Sequence, residues 1–228
     1  MSLRIQSSIP TATTTTTSQG RTPLPIPIQA HPMSILLFGK RPPRLVDRRR
    51  YPKLNKTMRK LEEVADQVAS MLHRPPGSFS LEMCEGENAC ISRDCQIAVG
   101  VELLEKHQDD DDLLVAILGH EIGHQPWTWP NHDLSRLSKK KRDALYREEE
   151  AKADWFAGRV LADLDANPAS VCRFLEKAAR FEAHKPSDYY PAKVRAQMVT
   201  AAFEQRQQAL EGSRTVRAQF AHRTRDLR

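Results

Sequence analysis

The sequence predicts an α+β domain, mainly helical, with a small β-sheet beside one buried helix. Three observations predict it. Apolar residues recur at helical spacing from Met58 to Leu72. Three short β-prone runs, "FSLEM", "NACIS" and "QIAVG", lie close together between Phe79 and Gly100. From there to about Leu210 the chain reads as successive helices separated by proline and polar punctuation.

The chain has 228 residues, which suits one domain with tails better than two full domains. Residues 1–50 read as a leader that orders no structure of its own. Ser, Thr and Pro dominate "SSIPTATTTTTSQGRTPLPIPIQAHP", and no apolar periodicity is present. The leader carries no acidic residue before Asp47, a composition compatible with an organellar transit peptide, an export leader or an untargeted tail. Localisation therefore stays open between cytoplasm, organelle and export. No run approaches a membrane span, and the longest apolar candidate is "SILLFG" at Ser34 to Gly39.

The domain proper is expected over residues 51–210, followed by a basic tail at 211–228. Its first helix places Met58, Leu61, Val64, Ala65, Val68, Met71 and Leu72 on one face, and "RPPG" at Arg74 to Gly77 stops it. The three β runs follow, with a turn at Arg93 and Asp94 between the last two. A short helix is expected over Val101 to Lys106. "DDDD" at Asp109 to Asp112 then offers caps and negative charge to the start of the next helix, "LLVAILGHEIGH", which must end near Pro126. Leu113, Leu114, Ile117, Leu118 and Ile122 give that helix the apolar character of a buried element. A long helix follows over "KKKRDALYREEEAKADWFAGRVLADL" and breaks at Asn167 and Pro168. Two more are expected, roughly Ala169 to Phe181 and Pro191 to Leu210.

Formal net charge is +6, concentrated in two arms. Lys40 to Lys60 holds ten Lys or Arg against the single acid Asp47, and Arg214, Arg217, Arg223, Arg225 and Arg228 close the chain. Such arms suit an acidic partner or simple solvation. No aromatic residues are interleaved and no nucleic-acid motif is present. Cys84, Cys90 and Cys95 cluster while Cys172 stands apart, without metal-site spacing. Reduced thiols are expected, and a disulfide within the cluster fits only an exported chain.

The chemistry-bearing stretch is "HEIGH" at His120 to His124. Residues i and i+4 share a helix face, so the two imidazoles project side by side and can hold one zinc ion, with Glu121 beside it as general base. Catalytic zinc commonly has three protein ligands and one open position. The best third ligand is Glu150, in "EEEAKAD" on the next long helix. Asp154, one turn later, can fix the tautomer of a ligand histidine from behind.

These motifs resemble the M48 family of gluzincin metallopeptidases over about Tyr51 to Glu204. "LLVAILGHEIGH" is similar to the family's zinc helix, and "EEAKADWFAG" to its third-ligand helix. "ENACISRDCQIAVGVELL" resembles the strand pair before the zinc helix, and "ANPASVCRFLEKAA" the helix after the third ligand. The resemblance implies a zincin fold and hydrolysis of a polypeptide by a water activated on zinc. Asn88 and Ala89 would begin the edge strand along which substrate lies extended. Many members carry a His-Pro pair followed by an Arg near the end. Here "YYPAKVR" puts Tyr190 at the histidine's place, so Tyr190 is the expected oxyanion donor, with Arg195, Tyr189 and His184 in reserve. Trp127 and Trp129 fit either the cleft wall or the core.

Two other readings fit parts of the pattern. ImmA/IrrE-type regulatory proteases, which cleave a repressor, also pair HExxH with a later Glu-x-x-Ala segment. An inactive, zinc-stabilised binding module working through its basic arms is the other, although Glu121 would then have no use.

Overall fold

The computed structural model describes residues 43–128, 136–179 and 189–225. The expected α+β class holds. Most elements are helices, and the only sheet among the described residues has three strands. The calls on the leader up to residue 42, on Trp129, on His184, on the end of the helix at Phe181 and on the last three residues lie outside the described residues.

The first helix, α1 (Asn55–Met71), buries Met58, Leu61, Ala65 and Val68. It ends at "LHRPPG", where His73 takes a positive φ of 56° and the prolines offer no N–H to continue the ladder. Strands β1 (Ser80–Cys84), β2 (Ala89–Ile91) and β3 (Gln96–Gly100) follow. Their order is β1-β3-β2, with β1 parallel and β2 antiparallel to β3. Register pairs Leu81 with Ile97 and Ile91 with Ile97, so one sheet face is continuously apolar and meets α1.

The outer edge of β1 is covered. Glu85 N–H donates to Arg44 O and Val46 N–H donates to Met83 O, each at 2.9 Å, with Leu45 bridged to Cys84. Ordered chain thus begins before Tyr51, because an extended Arg44–Val46 satisfies backbone groups that the edge of β1 would otherwise expose. The edge of β2 lacks such cover among the described strands. That asymmetry leaves one strand able to receive an extended chain.

After α2 (Val101–His107), Asp110 caps α3 (Asp111–Gly123) by accepting from Leu113 N–H at 3.1 Å. Buried residues surround α3: Leu114, Leu118 and Ile122 join the core under the sheet, while Leu113 and Ala116 join a second core. That second core also contains Leu161 of α4 (Lys139–Asp163), Val171 and Leu175 of α5 (Ala169–Ala179), and Ala196 and Val199 of α6 (Ala192–Arg225). An apolar helix without a polar face is the expected occupant of such a sandwiched position. The last helix runs past Leu210 to Arg225, since the intervening sequence has no proline and only Gly212 as a weak point. Cys84, Cys90, Cys95 and Cys172 are free thiols. No described helix is long and apolar enough to cross a membrane.

Candidate metal centre

Helices α3 and α4 cross where both carry small residues. A Cβ on Gly123 would lie 2.9 Å from Ala153 Cα and from Phe156 Cβ, so only glycine permits this approach. Ala153 and Ala157 supply the facing surface on α4. The close crossing brings Glu150 and Asp154, one turn apart on α4, beneath the last turn of α3. There His120 and His124 stand with ring centroids 4.8 Å apart, nearly perpendicular at 84°.

The three expected ligands converge. His120, His124 and Glu150 each offer a ligand atom within 4.8 Å of the other two. His120 Nε2 lies 3.2 Å from Glu150 Oε2, and His124 Nε2 lies 3.9 Å from Glu150 Oε1. Ligand atoms on a tetrahedral zinc with bonds of about 2.0–2.2 Å stand roughly 3.3–3.5 Å apart; the 3.2 and 3.9 Å separations lie near that spacing, and the widest, 4.8 Å, must close for all three to share one ion. Glu150 Oε2 is buried and makes no hydrogen bond despite its closeness to the imidazole. Among the described residues this is the one group of three such side chains able to share an ion.

Behind these three side chains lie Asp154 and Arg195. His120 Nδ1 is 2.9 Å from Asp154 Oδ1. Arg195, from the first turn of α6, donates to the same carboxylate through Nε at 2.7 Å and Nη2 at 2.9 Å. Its Nη2 also stands 3.7 Å from Glu150. Burial raises the Asp154 carboxyl, but the hydrogen bonds from Arg195 and His120 outweigh it and hold the pKa at about 2. Glu150 is likewise raised by burial yet held below its usual range by His120, His124 and Arg195. Burial lowers His120, and the Asp154 and Glu150 carboxylates more than reverse this, to about 10 in the metal-free protein. His124, with burial dominant and His120 close by, falls to about 4.

Glu121 is 7% exposed, and its carboxyl is pushed up to about 7, first by burial and also by the Glu150 charge. The nearby backbone amide of Ile91 pulls the other way. Strand register explains this contact. Ser92 N–H donates to Gln96 O, and Asn88 O accepts from Gly100 N–H, so residues 88, 90 and 92 turn their main chain toward β3. Ala89 and Ile91 therefore turn theirs to the open edge. Ala89 can present backbone groups there, whereas Asn88 can offer only its side chain.

A cavity of about 310 Å³ contains the centre, lined among others by Asn88, Ala89, His120, Glu121, His124, Glu150, Asp154, Tyr189 and Arg195. Tyr190 does not line it. Tyr190 borders a neighbouring cavity with Gly123, Trp155 and Met198. Tyr189 faces the centre instead, with the Arg195 guanidinium 5.0 Å from its ring centroid. Trp127 packs on Phe79 at 5.9 Å and under Arg74 at 4.3 Å, away from the cavity lining.

Sequence reading missed the Ile91 amide and the Gly123–Ala153 contact, and held Tyr189 only in reserve. The pairs Gly119/Gly123 and Ala153/Ala157 were a usable signal, since small residues four apart mark a face for close helix approach.

An HExxH helix crossed by a glutamate-bearing helix, beside a small sheet with one open edge, defines a zincin-like centre. Residues 55–146 match the model of peptidase family M48, so this part of the chain is M48-like and the match supports a metallopeptidase. The matched stretch contains both histidines and Glu121 but stops before Glu150, whose membership rests on the geometry above. Neither a curated protein nor a solved structure matches the chain.

Proposed function

We propose that the protein is a zinc-dependent endopeptidase, with His120, His124 and Glu150 as zinc ligands and Glu121 as general base. One observation carries this reading. A carboxylate on α4 arrives beside two imidazoles on α3, with one of its buried oxygens left without a hydrogen bond. Zinc bound there would polarise the peptide carbonyl and lower the pKa of a water molecule toward about 7.

The chain's own groups do the rest. Glu121 takes the water's proton and delivers it to the leaving amine. Burial raises its carboxyl above the usual carboxylate range in the metal-free protein, which favours its taking a proton. The Ile91 amide nearby favours the charged carboxylate. Asp154 holds the His120 ring through Nδ1, and Arg195 holds Asp154. That makes Arg195 a positioning residue in this scheme rather than an electrophile. The role expected for Tyr190 passes to Tyr189, whose phenol can donate to the developing oxyanion from the cavity wall. An extended substrate pairs with the outward backbone groups of Ala89 on the edge of β2.

The test is hydrolysis of casein by the purified full chain. Cleavage should disappear with a chelator and return with added zinc. Glu121→Gln should keep its zinc and lose at least about 10²-fold in rate. Undiminished cleavage by a clean Glu121→Gln preparation would overturn the general-base assignment.

A further inference from the structure

The start of α1 breaks a local rule. A helix N-terminus carries partial positive charge, which favours acidic side chains in the first turn. Helix α3 obeys, with Asp111 and Asp112 there. Helix α1 has no acid in its first turn and carries Lys56 instead. Arg50 and Lys53 lead into it, the latter within a single 3-10 turn over Pro52–Leu54, and Arg59 follows one turn after Lys56. Cations thus recur every third residue at Arg50, Lys53, Lys56 and Arg59, and all four residues are exposed. Like charges at helical spacing destabilise the helix that carries them.

Nothing within the described chain offsets these four. Their neighbours are already matched: Arg44 with Glu85, Arg48 with Glu62, Arg49 with Asp47 and Lys60 with Asp111. Among the described residues no acid pairs with Arg50, Lys53, Lys56 or Arg59. The stripe lies on the outer side of α1, since Met58, Leu61 and Ala65 are buried and Lys56 and Arg59 stand across the helix from them. A convex helix face has no walls to enclose a small anion, and it suits an extended anionic surface. No ring stands exposed among the four, because Tyr51 packs against the core, so nucleic-acid bases find no stacking platform. In the sequence, Ile35, Leu36, Leu37 and Phe38 come directly before the basic run that starts at Lys40. Apolar burial and attraction to anionic headgroups add when a chain is held on a bilayer without spanning it.

We propose that the face of α1 carrying Arg50, Lys53, Lys56 and Arg59 docks the protein on an anionic lipid surface. This reading is independent of the metal centre: it sets where the chain sits, not what it cleaves. Each basic residue near such a surface contributes about fivefold in partitioning, and four together about 600-fold.

Vesicle flotation of the full chain tests it. Binding is expected to phosphatidylcholine–phosphatidylserine vesicles, not to phosphatidylcholine alone, and should fall as salt is raised. The variant K53E/K56E/R59E should lose at least about 100-fold in affinity for the anionic vesicles. A control, K140E/K141E/K177E, reverses three exposed lysines elsewhere with the same change in net charge and should bind like wild type. Urea melts check that both variants fold. If the first does not, K53Q/K56Q replaces it, with a loss of about 25-fold expected. Equal binding of the wild type to both kinds of vesicle, or equal losses in the α1 variant and the control, overturns the proposal. Binding to polyglutamate or to a mixed-sequence oligonucleotide, with none to the anionic vesicles, overturns it in favour of a soluble polyanion.

Discussion

Replacing Asp154 with asparagine changes one buried oxygen into an amide nitrogen and removes one charge. In the native protein Oδ1 serves both His120 Nδ1 and Arg195 Nη2 at 2.9 Å, and Oδ2 takes Arg195 Nε at 2.7 Å. Asparagine has a single acceptor oxygen. Whichever way it turns, its NH₂ meets an N–H donor at one of these positions. Arg195, whose side chain is only 14% exposed, also loses its counter-charge. The nearest remaining carboxylate is Glu150, 3.7 Å from Nη2, so the guanidinium competes with the metal for that ligand. Disturbing the partner behind a ligand histidine typically costs 10–100-fold in metal affinity, or about 1.4–2.7 kcal/mol. Breaking a buried ion pair one-sidedly costs about 3 kcal/mol at the low end of its range, appropriate here because Glu150 partly replaces the lost charge. The expected result is a zinc dissociation constant raised by about 10–100-fold, with a metal-free form about 3 kcal/mol less stable. Competition with a chromogenic chelator reads the first, and urea unfolding in excess chelator reads the second. A variant with wild-type zinc affinity and an unshifted unfolding midpoint would refute the claim that Asp154 acts through both His120 and Arg195.

Glu150→Ala removes the proposed third ligand and should weaken zinc binding by more than the roughly 100-fold ceiling for an outer partner, leaving dialysed protein nearly metal-free. Full occupancy by metal analysis would take Glu150 out of the coordination shell. Gly123→Ala puts a methyl 2.9 Å from Ala153 Cα and Phe156 Cβ, so α3 and α4 must part, at about 1–3 kcal/mol of stability. The same displacement should lower zinc affinity, and a variant matching wild type in both urea melt and zinc titration would contradict the close-crossing argument.

Much of the molecule was legible before any coordinates. The short apolar run in "QIAVG" marked β3, and the acidic run at Asp109 to Asp112 located the start of α3. Such local features are written in period and capping chemistry, which act over a few residues. The same locality limits what such features can decide. Tyr189 and Tyr190 are identical in composition and neighbours in sequence, and only the path of the chain into α6 decides which one faces the centre. For Trp127 the sequence left cleft wall and packing open, and its contacts with Phe79 and Arg74, from the segment between α1 and β1, decide for packing.

By itself, then, the sequence determined which side chains share a helix face: His120 with His124, and Glu150 with Asp154. Helical periodicity is an intrinsic property of the backbone and needs no tertiary partner. Only the tertiary structure decided that the two faces meet, that Arg195 is spent on Asp154, and that Ile91 lends its amide to Glu121. Those contacts join separate elements, and their geometry is set by how closely the small residues let α3 and α4 pack and by the register of β2 on β3.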